Sequence, residues 1–409
     1  MQALAELDLP FLPMGTAEFA EDPFRFVAEA RLQHPWIARC ESGYCVFDYS
    51  AINEIHRMDD MLRPSFDGIV EQMAAGGTPW GRFFNEQLIA LPSDQHRFIR
   101  DTFAAKFTPR FANQLRPMMV ATITALIDQW APKGKIDFEE FASRFPISVM
   151  FGLVGAPLNA IEDLRDDLEA IGLATSMQKE RVPRINEGFV RLEAFVEKLI
   201  ADRRASPRRD GVEDLLAMMI EAGDSGGIAH RQLADLIMFF FIAGYDTSKN
   251  VLTFTMKTLL DYPQIYARCA DDHDYCRKVI EEALRFFNPG TTFRFIDKDL
   301  EFRGVLVPKD TMLFFPLSIS GRDALAFPDG QTFDPDRVVD PKKRHIAFGL
   351  GKHMCLGQYI ARAQLQEAIH QIAQRFREPK LAGEYGWRPF YGTWGLKGLP
   401  IEFIAGKAR

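Results

Sequence analysis

Apolar residues recur along most of the chain at the three- and four-residue spacing that places them on one face of an α-helix. The longest such stretch covers residues 230–260 and ends before Asp261-Tyr262-Pro263. Asp22-Pro23 predicts a helix start, with an N-cap residue before a proline at the first helical position. Ser93 is predicted to cap a second helix that Pro109 stops. Further helices are predicted over residues 111–130, 138–153, 189–203, 275–287 and 356–376.

The pattern changes in the last third of the chain. Residues 300–307 and 311–316 alternate or run apolar between turn residues and predict short strands, and residues 399–403 predict a closing strand. Pro and Gly crowd residues 328–351 and predict an irregular loop. We therefore expect a mainly α fold with minor β structure. No linker composition divides residues 1–409, so we expect one domain with a helix-rich core and a smaller β-containing lobe.

Charge and composition exclude several function classes. The formal net charge of −7 argues against nucleic acid, whose phosphates require a basic face. The N-terminal residues lack the basic and apolar regions of a signal peptide, and the most apolar run, residues 236–244, is too short to span a bilayer. Five cysteines without a Cys-x-x-Cys pair predict neither a disulfide scaffold nor a zinc motif. A cytoplasmic protein with no membrane association is expected.

One cysteine lies in a distinctive loop, Phe348-Gly349-Leu350-Gly351-Lys352-His353-Met354-Cys355-Leu356-Gly357. The glycines permit backbone angles that are closed to other residues. The loop leads into a predicted helix, whose N-terminus favours an anion, so the Cys355 thiol should ionise readily. A single thiolate without a second nearby ligand suits the axial position of a haem better than tetrahedral zinc.

This loop resembles the cysteine-ligand segment of the cytochromes P450, Phe-Gly-x-Gly-x-His-x-Cys-x-Gly, at every fixed position. The resemblance extends from about His96 to the C-terminus. It implies a triangular prism of helices with small β-sheets around a buried haem b, whose iron Cys355 binds. It also implies that Phe348, Gly349 and Gly357 contribute to haem binding.

Other residues gain a role only through this resemblance. Glu282 and Arg285 match the family's Glu-x-x-Arg element, and Arg337 resembles its third member, so these three should brace the cysteine loop. His96, Arg100, Arg294 and His353 resemble the partners of the haem propionates. For each of these residues an ordinary surface or core position is the alternative.

The sequence Ala243-Gly244-Tyr245-Asp246-Thr247 lies in the middle of the longest predicted helix, where a glycine costs about 1 kcal/mol relative to alanine. Taken alone, the small residues could form a helix-packing notch. The Thr247 hydroxyl could also bond back to a helical carbonyl and open a groove. In the family, the matching groove binds dioxygen: Ala243 and Gly244 would lie against the haem, Thr247 would hydrogen-bond dioxygen, and Asp246 would relay protons.

The resemblance also indicates a substrate pocket of apolar or neutral residues. Its predicted members are Phe239, Ile242, Gly290, Thr291, Phe293 and Trp394. Arg82 could contact a substrate carboxylate, which the sequence leaves open. A small hydrophobic substrate, such as a terpenoid or an aromatic compound, is expected.

The resulting hypothesis is a haem-thiolate monooxygenase that inserts one oxygen atom from O2 by hydroxylation or O-dealkylation. Electrons would come from a 2Fe-2S ferredoxin and its reductase, and a monomer is expected. Basic residues around the cysteine loop could form the docking face, or could simply be a solvated run of charges: Lys342, Lys343, Arg344, Lys352 and Arg362. Two alternatives are a peroxygenase that uses hydrogen peroxide, which the intact Asp246-Thr247 pair disfavours, and a non-catalytic haem sensor, which needs no proton relay.

Overall fold

The computed structural model describes residues 2–206 and 215–406. These residues form two compact units, each built from several chain segments. The β-containing unit comprises residues 1–65, 278–355 and 386–397, and the helical unit comprises the remaining segments. Among the described residues, no helix is long and apolar enough to cross a membrane.

The β-containing unit is organised around a five-stranded sheet. Its strand order is Ile37–Cys40, Gly43–Val46, Met312–Pro316, Thr291–Ile296 and Leu62–Arg63. All pairs are antiparallel except the second with the third. Smaller sheets join Gln2–Ala3, Val305–Val307 and Leu300–Phe302, and Gly386–Trp387 with Leu396–Lys397. The α-helices of this unit are Ala17–Glu21, Pro23–Gln33, Tyr49–His56 and Leu317–Ser320, and it includes residues 278–286 of the helix His273–Phe286.

The core of this unit consists of aliphatic and aromatic side chains from the sheets and from helix Tyr49–His56. Trp36, Ile37, Ile52, Leu313 and Phe315 are at most 2% exposed. Burial of such side chains contributes about 1.5–3 kcal/mol each. The core therefore supports the strand edges and loops of this unit.

The helical unit is built mainly from α-helices. They are Asp67–Gln72, Pro79–Glu86, Ser93–Phe103, Pro109–Trp130, Phe138–Val154, Ile161–Ile171, Val182–Ala205, Leu215–Asp224, His230–Leu260, Pro263–Asp271 and Gln358–Arg375. Phe376–Leu381, Pro400–Ala405 and Lys135–Asp137 form an antiparallel sheet. We call His230–Leu260 the long helix; Phe241 on it packs against Phe151, with ring centroids 4.9 Å apart.

Helix punctuation differs from the sequence prediction at two points. Asp22 caps the helix Pro23–Gln33 as expected, by accepting from the Arg25 amide. Ser93, however, is the first helical residue and not the cap. Pro109 does not stop a helix but is the first residue of one, with Thr108 as its N-cap. A proline is tolerated there because the first backbone N–H of a helix has no partner within the helix.

Candidate functional site

Cys355 is the single exposed cysteine among the five, and none of the five forms a disulfide. The loop that carries it is closed by a hydrogen bond of 2.8 Å from the Cys355 amide to the Phe348 carbonyl. Gly349 and Gly351 adopt φ values of +71° and +66°, in the left-handed region that favours glycine. Helix Gln358–Arg375 begins two residues later than the sequence predicted. The loop therefore presents one thiol on a backbone path that its glycines make possible.

Three side chains that the sequence analysis missed hold the segment before Cys355. The Tyr49 hydroxyl donates to the Arg344 carbonyl at 2.7 Å, and Asn288 Nδ2 donates to the Ala347 carbonyl at 2.9 Å. His345 Nε2 lies 2.9 Å from Glu281 Oε2. Asn288 sits in the Asn288-Pro289-Gly290 stretch that ends a predicted helix, but nothing in the sequence names its acceptor.

Glu282, Arg285 and Arg337 lie together, as the resemblance implied. Arg285 donates to both Glu282 carboxylate oxygens at 2.8 and 2.6 Å, and Arg337 Nε reaches Glu282 Oε1 at 3.4 Å. Glu282 and Arg285 are 5% and 3% exposed.

The hydrogen bonds of this trio run to the stretch that precedes the cysteine loop. Arg285 donates to the carbonyls of Gly321, Gly330 and Thr332. Arg337 donates to the carbonyls of Pro328, Asp329 and Thr332. The trio therefore fixes residues 321–334, and whether this in turn braces the cysteine loop stays a prediction.

The middle of the long helix has one open face. Ala243 and Thr247 are exposed, whereas Tyr245, Asp246 and Ser248 between and beside them are buried. The Thr247 hydroxyl donates to the Ala243 carbonyl at 2.9 Å. The predicted back-bond is thus present, and its hydroxyl oxygen stays accessible to accept or relay a further hydrogen bond.

Asp246 points away from that face into a polar interior. It is 3% exposed. Asn250 Nδ2 donates to its carboxylate Oδ1 at 3.2 Å and to its carbonyl at 2.8 Å, and Lys249 Nζ lies 3.6 Å from Oδ1. Two buried polar side chains, those of Lys249 and Asn250, therefore contact Asp246.

Gly244 has a packing role. A Cβ at this position would lie 2.3 Å from Met150 Sδ, on the neighbouring helix Phe138–Val154. The contact explains the glycine without a ligand, which is the alternative that the sequence left open. The haem-binding prediction for Gly244 therefore depends on the resemblance alone.

The predicted propionate partners differ in their surroundings. His96 is buried at 2% exposure and Arg100 is partly exposed one helical turn later. Arg294 is 8% exposed and donates to the Phe293 carbonyl at 2.7 Å. His353 is half-buried in the cysteine loop.

Most of the predicted pocket residues offer some surface. The partly exposed ones are Phe239, Ile242, Gly290, Thr291 and Phe293. Trp394 is 0% exposed, its ring lies 5.3 Å from that of Trp387, and its Nε1 donates to the Ala20 carbonyl at 2.8 Å. A substrate could touch Trp394 only if this aromatic core moved.

Arg82 is already paired with carboxylates of the chain itself. Its two terminal nitrogens donate to the two Asp235 oxygens, both at 2.8 Å, and one of them also reaches Glu86 at 2.9 Å. The paired carboxylates raise the pKa of Arg82. This bidentate contact gives Arg82 a role in joining helix Pro79–Glu86 to the long helix.

His56 leads to a prediction about acid stability. It is 2% exposed, and burial, aided by the charge of Arg294, lowers its pKa to about 3 from 6.5. The unfolded chain binds this proton below pH 6.5 and the folded chain does not until about pH 3. Stability is therefore fully present above pH 6.5 and should fall by about 1.4 kcal/mol per pH unit below it.

Urea unfolding of wild type and His56→Phe between pH 7 and about pH 4 measures this slope. The difference in unfolding free energy between the two proteins should change with pH in favour of the variant as the pH falls. Ile52→Val, a buried change on the same helix that alters no titratable group, should shift the unfolding free energy equally at every pH. Equal slopes for wild type and His56→Phe would contradict the burial of an uncharged His56.

Comparison with known proteins gives a consistent result. The family model described as Cytochrome P450 matches residues 73–381. Luteothin monooxygenase of Streptomyces thioluteus is 31% identical over 403 residues, covering 97% of each chain. The biotin biosynthesis cytochrome P450 of Bacillus subtilis (strain 168) is 26% identical over 395 residues, covering 95% of this chain and 98% of the relative.

A solved structure shows the same fold. P450BioI in complex with hexadec-9Z-enoic acid ligated acyl carrier protein superposes with a TM-score of 0.85 at 24% identity. The match covers 94% of this chain and 100% of that one. The predicted mainly α fold with small sheets is confirmed.

Proposed function

This chain belongs to the cytochrome P450 family, a family of haem b monooxygenases, and from that premise we propose that it oxidises a small, uncharged hydrophobic compound by hydroxylation or O-dealkylation. The substrate that we propose is a terpenoid or an aromatic compound. The observation that carries the proposal is the accessible Thr247 hydroxyl beside the buried Asp246 on the long helix. A site that only bound a ligand would need neither group.

The donor set fits a haem. Cys355 supplies one exposed thiol, and the described residues contain no cluster of three or more His, Cys, Asp or Glu that could hold a metal ion by itself. Ala243 and Thr247 are exposed in the middle of the long helix, next to the buried Tyr245, Asp246 and Ser248. When bound, haem activates dioxygen for insertion into a C–H bond, with electrons from an external redox partner.

The residues of this chain would then divide the remaining tasks. Cys355 would bind the iron as thiolate, with Phe348, Gly349 and Gly357 shaping its loop. His96, Arg100, Arg294 and His353 would bind the propionates by charge-assisted hydrogen bonds. Ala243 and Gly244 would let the ring approach the long helix. Thr247 would hold dioxygen through its hydroxyl, and Asp246 would supply protons to that face.

The substrate class follows from the character of the proposed pocket. Its partly exposed members carry aromatic, aliphatic or hydroxyl side chains: Phe239, Ile242, Gly290, Thr291 and Phe293. None of these bears a charge, and Arg82 is engaged by Asp235. An anionic substrate would find no cation among these five residues, and a buried charge without a partner is costly.

The electron donor that we propose is a 2Fe-2S ferredoxin with its reductase. Lys342, Lys343, Arg344 and Lys352 are exposed in the segment that carries Cys355. On a chain of net charge −7, such a basic stretch would attract an acidic partner and speed encounter. We further propose a monomer in a reducing, cytoplasmic setting, which suits five cysteines that form no disulfide.

Thr247→Ala tests the oxygenase proposal, with Thr247→Ser as the matched control that keeps a hydroxyl. With 7-ethoxycoumarin as probe and a plant-type ferredoxin and reductase as electron source, the alanine variant should lose product formation by about 10²-fold and release hydrogen peroxide instead. The serine variant should retain most of the product. If both variants form product as the wild type does, or if peroxide alone supports the wild type fully, the proposed role of Thr247 is wrong.

A further inference from the structure

The ammonium group of Lys249 lies inside the helical unit with no exposed side-chain surface. It sits on the long helix three residues after Asp246, at 3.6 Å from its carboxylate. Its other contacts are with Glu139, whose Oε1 is 2.7 Å away, and with Glu169. One fully buried cation therefore connects Asp246 with two further carboxylates.

The three carboxylates differ in how far their side chains are exposed to solvent. The side-chain exposure is 4% for Asp246, 18% for Glu139 and 29% for Glu169. Glu139 begins the helix Phe138–Val154 and Glu169 lies near the end of Ile161–Ile171. The four groups thus form a continuous polar path from the surface of the helical unit to Asp246.

The surroundings of this path are strongly negative. Burial raises the pKa of the Tyr245 hydroxyl, and the charges of Glu169, Asp246 and Glu139 raise it further, with Arg165 opposing them. The Tyr245 ring lies 5.8 Å from Lys249 Nζ. Lys249 therefore brings a positive charge to a largely buried site that three carboxylates share.

We propose that Lys249 is the positioning residue of a proton inlet that reaches Asp246 from the Glu139–Glu169 side. The proposal deepens the function argued above and depends on it for the use to which the proton is put. Lys249 holds the Asp246 side chain in place and joins it to two carboxylates that exchange protons with solvent. The path runs behind the long helix, on the side away from the exposed Ala243 and Thr247.

The proton transfers along the inlet balance. Solvent first protonates the carboxylate of Glu139 or Glu169. Lys249 then passes an N–H proton to the Asp246 carboxylate and regains one from that carboxyl, and Asp246 gives its proton towards the Thr247 side. One proton moves inward, each group recovers its charge, and no electron is transferred.

A purely structural role is the alternative. A buried ion network is weak evidence for stability, because apolar residues of similar volume often serve as well. Lys249 could simply join three helices. That role and the inlet differ in what happens to the Asp246 carboxyl when Lys249 is lost.

Infrared spectroscopy of the resting holoprotein makes this distinction without turnover. In Lys249→Met, Asp246 loses its cation, so a protonated carboxyl band should appear at neutral pH. The band should be weaker in Lys249→Met/Asp246→Asn by the share of Asp246. A Lys249→Met spectrum with no component that depends on Asp246 overturns the proposal.

A milder pair of variants keeps the test open if Lys249→Met does not fold. Glu169→Gln removes one inlet carboxylate, and Glu162→Gln removes a more exposed one on the same helix, where Arg144 pairs with it. With the ferredoxin system, Glu169→Gln should slow dioxygen consumption and increase its solvent deuterium isotope effect. Glu162→Gln should leave both at the wild-type value; equal effects of the two variants would contradict the inlet.

The two levels of proposal fail in different ways. If the oxygenase proposal is wrong, the protein forms no product that depends on Thr247, but the infrared band of Asp246 still depends on Lys249. If the inlet is wrong, the enzyme oxidises its substrate and Lys249→Met alters only stability. Arg116→Met, which breaks the pair of Arg116 with the buried Glu367, is the control for stability alone.

Discussion

Replacing Cys355 by serine is expected to remove the thiolate spectrum and to lower monooxygenase turnover by at least about 10³-fold, equivalent to about 4 kcal/mol of barrier. The physical reason is that a hydroxyl does not ionise at neutral pH and cannot donate electron density to iron as a thiolate does. Product formation from 7-ethoxycoumarin and the spectrum of the reduced carbonyl complex are the two measurements.

Cys40→Ala is the matched control. Cys40 belongs to the same unit, but its thiol is buried on strand Ile37–Cys40, where burial raises its pKa to about 11. This variant should keep the wild-type spectrum and turnover, with at most a modest loss of stability. Turnover in Cys355→Ser close to that of Cys40→Ala would exclude Cys355 as the iron ligand.

The largest expected effect on stability comes from Arg285→Met. Glu282 is 5% exposed, and the change removes its bidentate partner. It also removes the hydrogen bonds that Arg285 donates to three backbone carbonyls. Removing one partner of a buried ion pair costs about 3–5 kcal/mol, and Arg337 at 3.4 Å replaces only part of the lost contact. Unfolding in urea, followed by circular dichroism, should show this loss, and haem content per chain should fall with it.

An exposed pair in the same unit gives the comparison. Lys278 and Asp336 lie 2.8 Å apart with both side chains 50% exposed. Lys278→Met should therefore change the unfolding free energy by less than about 1 kcal/mol and leave haem content unchanged. If Arg285→Met costs no more than Lys278→Met, the buried trio does not have the structural importance assigned to it.

The sequence predicted most where a single strong pattern ran without interruption. The long helix has its predicted bounds, His230–Leu260, because its apolar periodicity is continuous and Pro263 follows closely. The cysteine loop was recognisable because fixed backbone angles and a single thiol require particular residues at particular positions. Glu282 and Arg285 were recognisable because helix geometry alone brings residues three apart together.

The sequence pattern could not predict contacts between segments that are far apart in the chain. Lys249 meets Glu139 and Glu169, which are 110 and 80 residues away in the chain. A lysine inside an apolar helical stretch is a signal that something must neutralise it, but not of what. The strands Ile37–Cys40 and Gly43–Val46 were missed for the same reason, since four-residue segments acquire their structure from pairing.

The burial of individual side chains also depended on the fold. Trp394 was expected at the pocket, yet it packs among Phe390, Trp387 and other rings at 0% exposure. Gly244 was expected at the haem, and the structure adds a packing contact with Met150. A position in a motif specifies the residue type better than it specifies which neighbour requires it.

The central claim is that Cys355 binds haem iron as a thiolate. The most direct test is the Soret band of the purified, haem-loaded wild type after reduction with dithionite under carbon monoxide. A band at the red-shifted position typical of thiolate-ligated iron is the expected result. A band at the position typical of histidine ligation, in protein shown to be folded, would contradict the claim.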